Sequence, residues 1–221
     1  MTNADSTQPP GREPVDEGLP PDLPPGVRRA ERMRLVAGRR LGGLRVVLDG
    51  VHDRHNISAV LRSCEGFGLQ HVHLIGPEGE LQPNRAITCG CEKWLDLHYH
   101  ETPEACLAEL HEAGFAVYAA LPARDARSIE AIDFLRPTAL AFGAEKFGLS
   151  DAFLAGCDGR FVVPMAGFSQ SLNVSVAAAV SVYVASGLRR TALKSTTDMT
   201  DDEVEALAER WIAADRGDSA T

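Results

Sequence analysis

Short apolar runs alternate along this chain with segments whose apolar residues recur at helical spacing. The runs over 45–49, 71–75, 115–121, 138–142 and 160–165 predict β-strands. Between the first two runs, apolar residues at i, i+3, i+4 and i+7 predict a helix over 56–65. Strands that alternate with helices predict an α/β fold, in which helices flank a mostly parallel sheet. Ligands of such folds bind beyond the carboxyl ends of the strands.

Helices are also predicted at the two ends of this pattern. An arginine-rich helix is expected over 27–40, and the Gly-Gly pair at 42–43 is expected to end it. A nearly all-apolar helix over 173–190 is rich in alanine, and its apolar stretch is too short to span a bilayer. We therefore expect a buried core helix and no membrane partner. Thr200 and Glu203 form a capping box that opens a last amphipathic helix.

Charge divides the chain into three parts. The formal net charge is −9, yet residues 1–26 carry five acidic residues and one basic residue, and residues 195–221 carry eight acidic and two basic residues. Residues 27–194 therefore hold 18 acidic and 19 basic residues, a net charge of +1. Seven of the 13 prolines lie in residues 1–26, which predicts a disordered extension. We expect a folded domain over 27–194 and an acidic C-terminal helix and tail over 195–221.

Arginine is concentrated near the start of the predicted domain. Seven arginines and no lysine lie between residues 27 and 45, where the only acidic residue is Glu31. Guanidinium groups can bind a phosphate through two parallel hydrogen bonds. The run therefore indicates an RNA-binding surface, although a solvated basic helix would have the same pattern. An isoelectric point near 5.2 does not exclude RNA, because most of the acidity belongs to the chain ends.

Cysteine and histidine patterns limit the other function classes. Five cysteines, an odd number, favour a reduced cytoplasmic protein over a disulfide scaffold. The CGC sequence at 89–91 has no second ligand pair at zinc-finger spacing, so no metal site is expected. His71 and His73 alternate within a predicted strand and are expected to lie on one of its faces. The GFG sequence at 66–68 follows a helix and lacks a third glycine, which argues against a nicotinamide dehydrogenase.

Three loops that follow predicted strands contain candidate chemistry. The first lies within 47–68, the second within 138–150, and the third within 162–180. Two glycines surround an acidic residue in the second loop, which suits a close approach of backbone to a ligand. Taken singly, the polar residues of these loops could merely cap helices or close turns.

The order and spacing of these residues resemble the three signature motifs of the SpoU/TrmH family of RNA ribose methyltransferases. The matching residues are Asn56 with Arg62, Gly143 with Glu145 and Gly148, and the segment 171–177. The resemblance implies a SPOUT-type α/β domain with a carboxyl-terminal trefoil knot, a homodimer, and S-adenosylmethionine as cofactor. A lone catalytic domain with arginine-rich ends is similar to the family members that methylate guanosine 18 in the D-loop of tRNA. Two alternatives remain: ribose methylation of ribosomal RNA, and a non-catalytic RNA-binding homologue.

The resemblance also implies roles for individual residues. The expected catalytic residues are Arg62, Asn56, Glu145 and Asn173. The cofactor is expected to contact Ala120, Leu121, Gly143, Val163, Met165, Ser171 and Leu172. The residues expected to bind tRNA are Arg28, Arg29, Arg32, Arg34, Arg39, Arg40, Arg189 and Arg190. A guanidinium group stays protonated at ordinary pH, so Arg62 is expected to stabilise negative charge and not to act as a base.

Overall fold

A computed structural model describes residues 28–77, 79 and 81–218, with side chains up to residue 216. Its strands are β1 (Leu41–Asp49), β2 (Leu69–Ile75), β3 (Asp96–His100), β4 (Ala116–Ala120), β5 (Arg127–Ser128), β6 (Thr138–Gly143) and β7 (Gly159–Val162). They form one sheet in the order β3-β2-β1-β6-β4-β7-β5, and all described pairings are parallel. The predicted α/β fold is therefore confirmed. The expected disordered extension over 1–26 lies outside the described residues.

Helices cover both faces of the sheet. They are α1 (Arg29–Ala37), α2 (Arg54–Gly66), α3 (Arg85–Thr88), α4 (Pro103–Glu112), α5 (Asp151–Gly156), α6 (Val174–Leu193) and α7 (Asp201–Asp218). Buried residues of α2 and α6 pack on one face, and those of α4 and α5 pack on the other. None of these helices, within the part of the chain described above, has the length and apolar character needed to cross a membrane.

Burial of β1 on both faces explains the apolar run at 46–48. Val46 and Leu48 belong to the cluster formed with α2 and α6, whereas Val47 belongs to the cluster formed with α4 and α5. Successive side chains of a strand point to opposite faces, so a strand covered on both sides needs apolar residues throughout. Because β1 lies between β2 and β6, its last residue, Asp49, lies beside the last residues of both strands.

The Gly-Gly pair at 42–43 does not end the first helix, so that prediction was wrong. Helix α1 ends at Ala37, and both glycines lie in β1. Their amides donate hydrogen bonds to the two carboxylate oxygens of Asp198, at 2.6 and 3.0 Å. A β-carbon on Gly43 would lie 2.1 Å from the Arg189 guanidinium. The pair is therefore needed for close packing of the segment between α6 and α7 against β1.

The acidic helix α7 packs against the basic helix α1. Met33 of α1 and Trp211 of α7 are buried in a third, smaller cluster. Arg29 donates a hydrogen bond of 2.6 Å to Asp215, and this bond raises the pKa of the Arg29 guanidinium. The predicted capping box at Thr200 is confirmed, because its amide donates to Glu203 at 2.8 Å. The two ends of the described chain are thus joined by apolar packing and by ion pairs.

Candidate active site

The carboxyl ends of the central strands meet at one edge of the sheet. Strand register places Asp49, the last residue of β1, opposite Gly143, the last residue of β6. On the other side of β6, Ala119 of β4 pairs with Ala141, and the next residue, Ala120, pairs with Phe161 of β7. The loops that follow these strands therefore begin side by side, as the sequence analysis expected.

Three of the four expected catalytic residues are in contact at this edge. The Asn173 amide donates a hydrogen bond to Asn56 Oδ1 at 3.1 Å. The Asn56 amide in turn donates to the Glu145 carboxylate. One residue from each motif thus takes part in a single chain of hydrogen bonds, which we call the Asn-Glu-Asn network.

Two members of the network lie at helix starts: Asn56 is in the first turn of α2, and Asn173 precedes α6. Asp53 is the N-cap of α2, because its carboxylate accepts a hydrogen bond of 2.8 Å from the His55 amide. Asn173 is the N-cap of α6, and its Oδ1 accepts hydrogen bonds from the amide and the hydroxyl of Ser175 at 2.9 and 2.6 Å. Capping and participation in the network are therefore combined in Asn173, whose side-chain oxygen caps while its nitrogen contacts Asn56.

The loop that carries Glu145 folds back tightly on itself. A β-carbon on Gly143 would lie 2.0 Å from the backbone of Gly148, and Gly148 has a φ of +70°, a conformation that favours glycine. The buried Asp49 carboxylate accepts a hydrogen bond of 2.7 Å from the Ser150 amide and so holds the end of the loop. No role was predicted for Asp49, although an acidic residue at the end of an apolar strand is a signal for one.

Arg62 lies apart from the Asn-Glu-Asn network in this chain. Its guanidinium is 3.4 Å from the Ile87 carbonyl oxygen and 3.8 Å from the Cys89 sulfur. Six helical residues separate it from Asn56, which amounts to about 9 Å along α2. The structure thus brings together Asn56, Glu145 and Asn173 but does not add Arg62 to them.

A cavity of 580 Å³ begins at Arg62 and extends between α1, α7 and the turn after α3. Its lining includes Arg29, Arg32, Arg62, Trp94, Trp211, Cys89 and Cys91, together with Arg40 and Glu65, which pair with each other at 2.8 Å. Burial raises the pKa of the Cys91 thiol to about 12, so Cys91 stays protonated and is a poor nucleophile at neutral pH. The cavity suits binding of an anionic or aromatic group better than covalent chemistry.

The expected cofactor contacts lie at the same sheet edge as the Asn-Glu-Asn network. Ala120 and Leu121 follow one another at the end of β4, and the Leu121 amide donates to the Phe161 carbonyl at 3.1 Å. Val163 follows the last residue of β7 and is half-buried. The other contacts lie on the exposed segment before α6, namely Met165, Ser171 and Leu172. Apolar side chains that are open to solvent beside strand ends suit a largely neutral ligand.

Two of the arginines expected to bind RNA are buried, so those two predictions were wrong. Arg40 is 1% exposed and donates to Glu65 at 2.8 Å and to the Leu69 carbonyl at 2.9 Å. Arg189 donates to Asp198 and, at 2.7 Å, to the Phe134 carbonyl. Because both guanidinium groups are hydrogen-bonded inside the protein, neither arginine is presented to a phosphate. Both guanidinium groups join elements that are distant in the sequence.

The other arginines of that set remain closer to the surface. Arg28, Arg29 and Arg34 are exposed, while Arg32 and Arg39 are half-buried. Arg190 is half-buried and donates to the Arg39 and Phe67 carbonyls, both at 3.0 Å. Burial lowers the pKa of Arg190. The accessible cations are thus mainly those of α1 and the residue before it.

Comparison with known proteins identifies the family. Residues 43–183 match the model of the SpoU rRNA Methylase family. Over 157 residues, 71% of this chain and 81% of the relative, the chain is 42% identical to the tRNA (guanosine(18)-2'-O)-methyltransferase of Thermus thermophilus. The enzyme of the same name from Aquifex aeolicus is 30% identical over 190 residues, 85% of this chain and 90% of the relative.

A solved structure agrees with these sequence relationships. The crystal structure of the A. aeolicus TrmH/SpoU tRNA modifying enzyme superposes with a TM-score of 0.76 at 30% identity, covering 85% of this chain and 96% of that one. The resemblance carried by the three motifs is thereby confirmed. The chain belongs to the SpoU methylase family of RNA methyltransferases.

Proposed function

We propose that the protein methylates the 2'-hydroxyl of a guanosine in tRNA, position 18 of the D-loop, with S-adenosylmethionine as methyl donor. The observation that carries the proposal is the Asn-Glu-Asn network, which joins one residue from each family motif at the carboxyl edge of the sheet. The two relatives named above are guanosine-18 methyltransferases of tRNA, and each aligns with more than two thirds of this chain.

The carboxyl edge of the sheet suits the cofactor that this reaction needs. Met165 and Leu172 are 43% and 37% exposed there, so an adenosine group that covered them would remove apolar surface from water. The tight turn between Gly143 and Gly148 brings backbone, rather than side chains, to the same edge. When bound, S-adenosylmethionine supplies a methyl group on a positively charged sulfur. Ala120, Leu121, Val163 and Ser171 complete the set that we assign to the cofactor.

The Asn-Glu-Asn network holds the reacting groups in place. Its hydrogen bonds fix the start of α2, the start of α6 and the loop after β6 relative to one another. Aligning a nucleophile with the group it attacks can lower the activation barrier by several kcal/mol. In ideal geometry the reduction is at least about 7 kcal/mol. We assign Asn56, Glu145 and Asn173 to positioning of the ribose and of the loop that surrounds it.

Arg62 stabilises negative charge during the reaction. A ribose hydroxyl is a poor nucleophile and must lose its proton as it attacks. The Arg62 side chain is exposed and borders a cavity with other arginines, which suits contact with the phosphates next to the methylated nucleotide. We infer that a substrate phosphate oxygen takes the proton while Arg62 stabilises the charge that develops.

Residues of the basic helix bind the tRNA backbone. Replacing Arg28 and Arg34 with glutamine should weaken tRNA binding and lower the slope of log affinity against log salt by about 0.7 to 0.9 for each phosphate that the variant no longer neutralises. Fluorescence anisotropy over a range of salt concentrations measures both quantities. Arg160→Gln, which removes an arginine of β7 that is paired with Asp125, is the matched control. An unchanged slope in the double variant would show that these residues do not bind phosphate.

The exposed face of α6 is the surface that we assign to a homodimer. Val176, Val180 and Tyr183 recur at helical spacing and are 47%, 37% and 64% exposed. Apolar residues grouped on one helix face are typical of a protein interface. The Tyr183 ring also packs against Phe67 at 5.5 Å between centroids, and Phe67 lines a second cavity together with Arg62. A second copy on this face would therefore lie next to Arg62.

Charge introduced on this face should separate the protomers. Tyr183→Asp is expected to shift the protein from dimer to monomer and to lower methyl transfer, because a carboxylate would be buried without a partner. Sedimentation velocity gives the oligomeric state, and Ala105→Asp on the opposite side of the sheet is the control. A dimeric Tyr183→Asp variant would assign the interface to another surface.

Two further properties are proposed on family membership. We infer that the chain forms a trefoil knot near the carboxyl end of the domain, because membership of the SpoU methylase family implies this fold. We also place the protein in the cytoplasm, where its proposed substrate occurs. The five cysteines are free in the structure, as expected for a reduced compartment.

Ribosomal RNA is the alternative substrate, and the name of the matching family model favours it. Incubation of the purified protein with labelled S-adenosylmethionine and either total tRNA or ribosomal RNA separates the two. We expect label in tRNA, at a position that mapping assigns to guanosine 18, and its loss when that guanosine is replaced. Label confined to ribosomal RNA would contradict the tRNA proposal. No label in either RNA would indicate a non-catalytic RNA-binding homologue.

A further inference from the structure

Four of the seven histidines of the chain lie together at the β3 edge of the sheet. They project from neighbouring strands on the face that α4 covers, where β2 and β3 place His73 opposite His98. We call this group the histidine cluster; it comprises His71, His73, His98, His100 and the carboxylate of Glu109. No step of the proposed methyl transfer uses these residues.

Distances within the histidine cluster suit a metal ion. One donor atom from each of His73, His98 and Glu109 lies within 4.8 Å of the other two. Glu109 Oε1 is 3.3 Å from His98 Nδ1 and 4.0 Å from His73 Nδ1. Ligands arranged tetrahedrally around zinc at the usual bond lengths are about 3.4 Å apart. The three donors therefore need only small side-chain movements to surround one ion.

A further histidine and an orienting pair adjoin this triad. His100 Nε2 lies 2.9 Å from His73 Nδ1 and 4.0 Å from Glu109 Oε2. The other ring nitrogen of His98 is 3.1 Å from His71 Nδ1, which is itself 3.8 Å from Asp96. Histidine ligands of metals are commonly oriented in this way by a group that binds their second nitrogen.

Burial of the cluster allows both retention of an ion and access to it. His73 is fully buried, whereas the side chains of His98 and Glu109 are 29% and 46% exposed. An ion could therefore enter from solvent on the Glu109 side and be held against the sheet. Nitrogen donors with one carboxylate oxygen favour zinc over magnesium or calcium.

One neighbouring charge opposes metal binding. The Arg45 guanidinium lies 3.4 Å from His73 Nε2 and over the ring of Phe115. A metal bound at His73 Nδ1 would leave a proton on Nε2, which then needs an acceptor and not a cation. Replacing Arg45 with glutamine would remove the charge and supply an amide oxygen.

We propose that His73, His98 and Glu109 form a zinc site that joins the edge strand β3 to α4, and that water supplies the fourth ligand. No metal site was expected from the sequence, because no second ligand pair has zinc-finger spacing. The ligands proposed here come from β2, β3 and α4, and only the fold brings them together.

Zinc titration of the full chain, without an affinity tag and after treatment with a chelator, tests this site. We expect one zinc ion per chain by calorimetry and a melting temperature that rises with zinc concentration. His98→Ala and Glu109→Gln should each weaken binding at least about 100-fold, since even groups that only orient a ligand contribute about 10- to 100-fold. His111→Ala, which removes a histidine of α4 outside the cluster, should bind as tightly as the parent chain. Arg45→Gln should bind more tightly.

Absence of zinc binding by the parent chain would overturn the proposal, as would unchanged affinity in both ligand variants. If those variants do not fold, the absorption spectrum of the parent chain with cobalt provides the decision. Intense visible bands, typical of tetrahedral cobalt, would support the site. Weak bands of six-coordinate cobalt would contradict it.

Discussion

Replacing Gly143 with valine is expected to abolish binding of S-adenosylmethionine. Even the β-carbon of a new side chain would lie 2.0 Å from the Gly148 carbonyl carbon and 2.1 Å from the Leu149 nitrogen. Backbone atoms cannot rotate away as a flexible side chain can, so the loop that carries Glu145 must move. Because this loop lies at the sheet edge that we assign to the cofactor, its displacement should disrupt cofactor binding. Isothermal titration with S-adenosylmethionine measures the loss.

Gly66→Val is the matched control for that experiment. A β-carbon at Gly66 has no atom within 4 Å, and the residue has no positive φ. This variant should bind the cofactor normally, and circular dichroism of both variants checks that the sheet is intact. Normal affinity in a folded Gly143→Val protein would assign the cofactor to another part of the molecule.

Replacing Arg62 with alanine is expected to lower turnover at least about 100-fold, which corresponds to about 2.7 kcal/mol of transition-state stabilisation. Its guanidinium is exposed and makes only long contacts with Ile87 and Cys89, so the variant should fold and bind the cofactor as the parent does. Single-turnover methyl transfer to tRNA measures the chemical step apart from RNA binding.

Arg62→Lys keeps the positive charge of the side chain but removes the guanidinium group, so it tests the two contributions separately. If bidentate phosphate contact matters, lysine should restore only part of the activity, because an ammonium group cannot make two parallel hydrogen bonds. Full activity in Arg62→Ala would remove this residue from the mechanism. A loss of cofactor affinity as large as the loss of turnover would show instead that Arg62 supports the cofactor site.

The central part of the fold could be predicted from sequence because burial leaves a clear pattern there. Strands β1, β4 and β6 are apolar on both faces, and Thr102 caps α4 as a typical helix start. Strand β3 could not be found this way. Three of the five residues of its sequence, DLHYH, are polar. All three belong to the histidine cluster at the sheet edge or orient a member of it. A polar edge strand has no periodicity that separates it from a loop.

The candidate site could be predicted where its residues lie at helix starts or in a glycine-flanked loop. Asn56 and Asn173 stand at helix starts and Glu145 in a glycine-flanked loop, so each carries a local signal. No local signal predicted that Arg40 and Arg189 are buried, because burial of an arginine depends on partners that are remote in the sequence. Glu65 and Asp198 supply those partners. Arginine-rich sequence thus predicted a basic surface but not which guanidinium groups reach it.

A crystal structure of the protein with S-adenosylmethionine and a tRNA D-arm would test the central claim most directly. Three separated loops should enclose the methyl donor, with Gly143, Leu121 and Leu172 in contact with it. The 2'-oxygen of the target guanosine should lie in line with the methyl group, about 3 to 3.5 Å away. A cofactor bound away from the carboxyl edge of the sheet, or a ribose distant from the Asn-Glu-Asn network, would contradict the account.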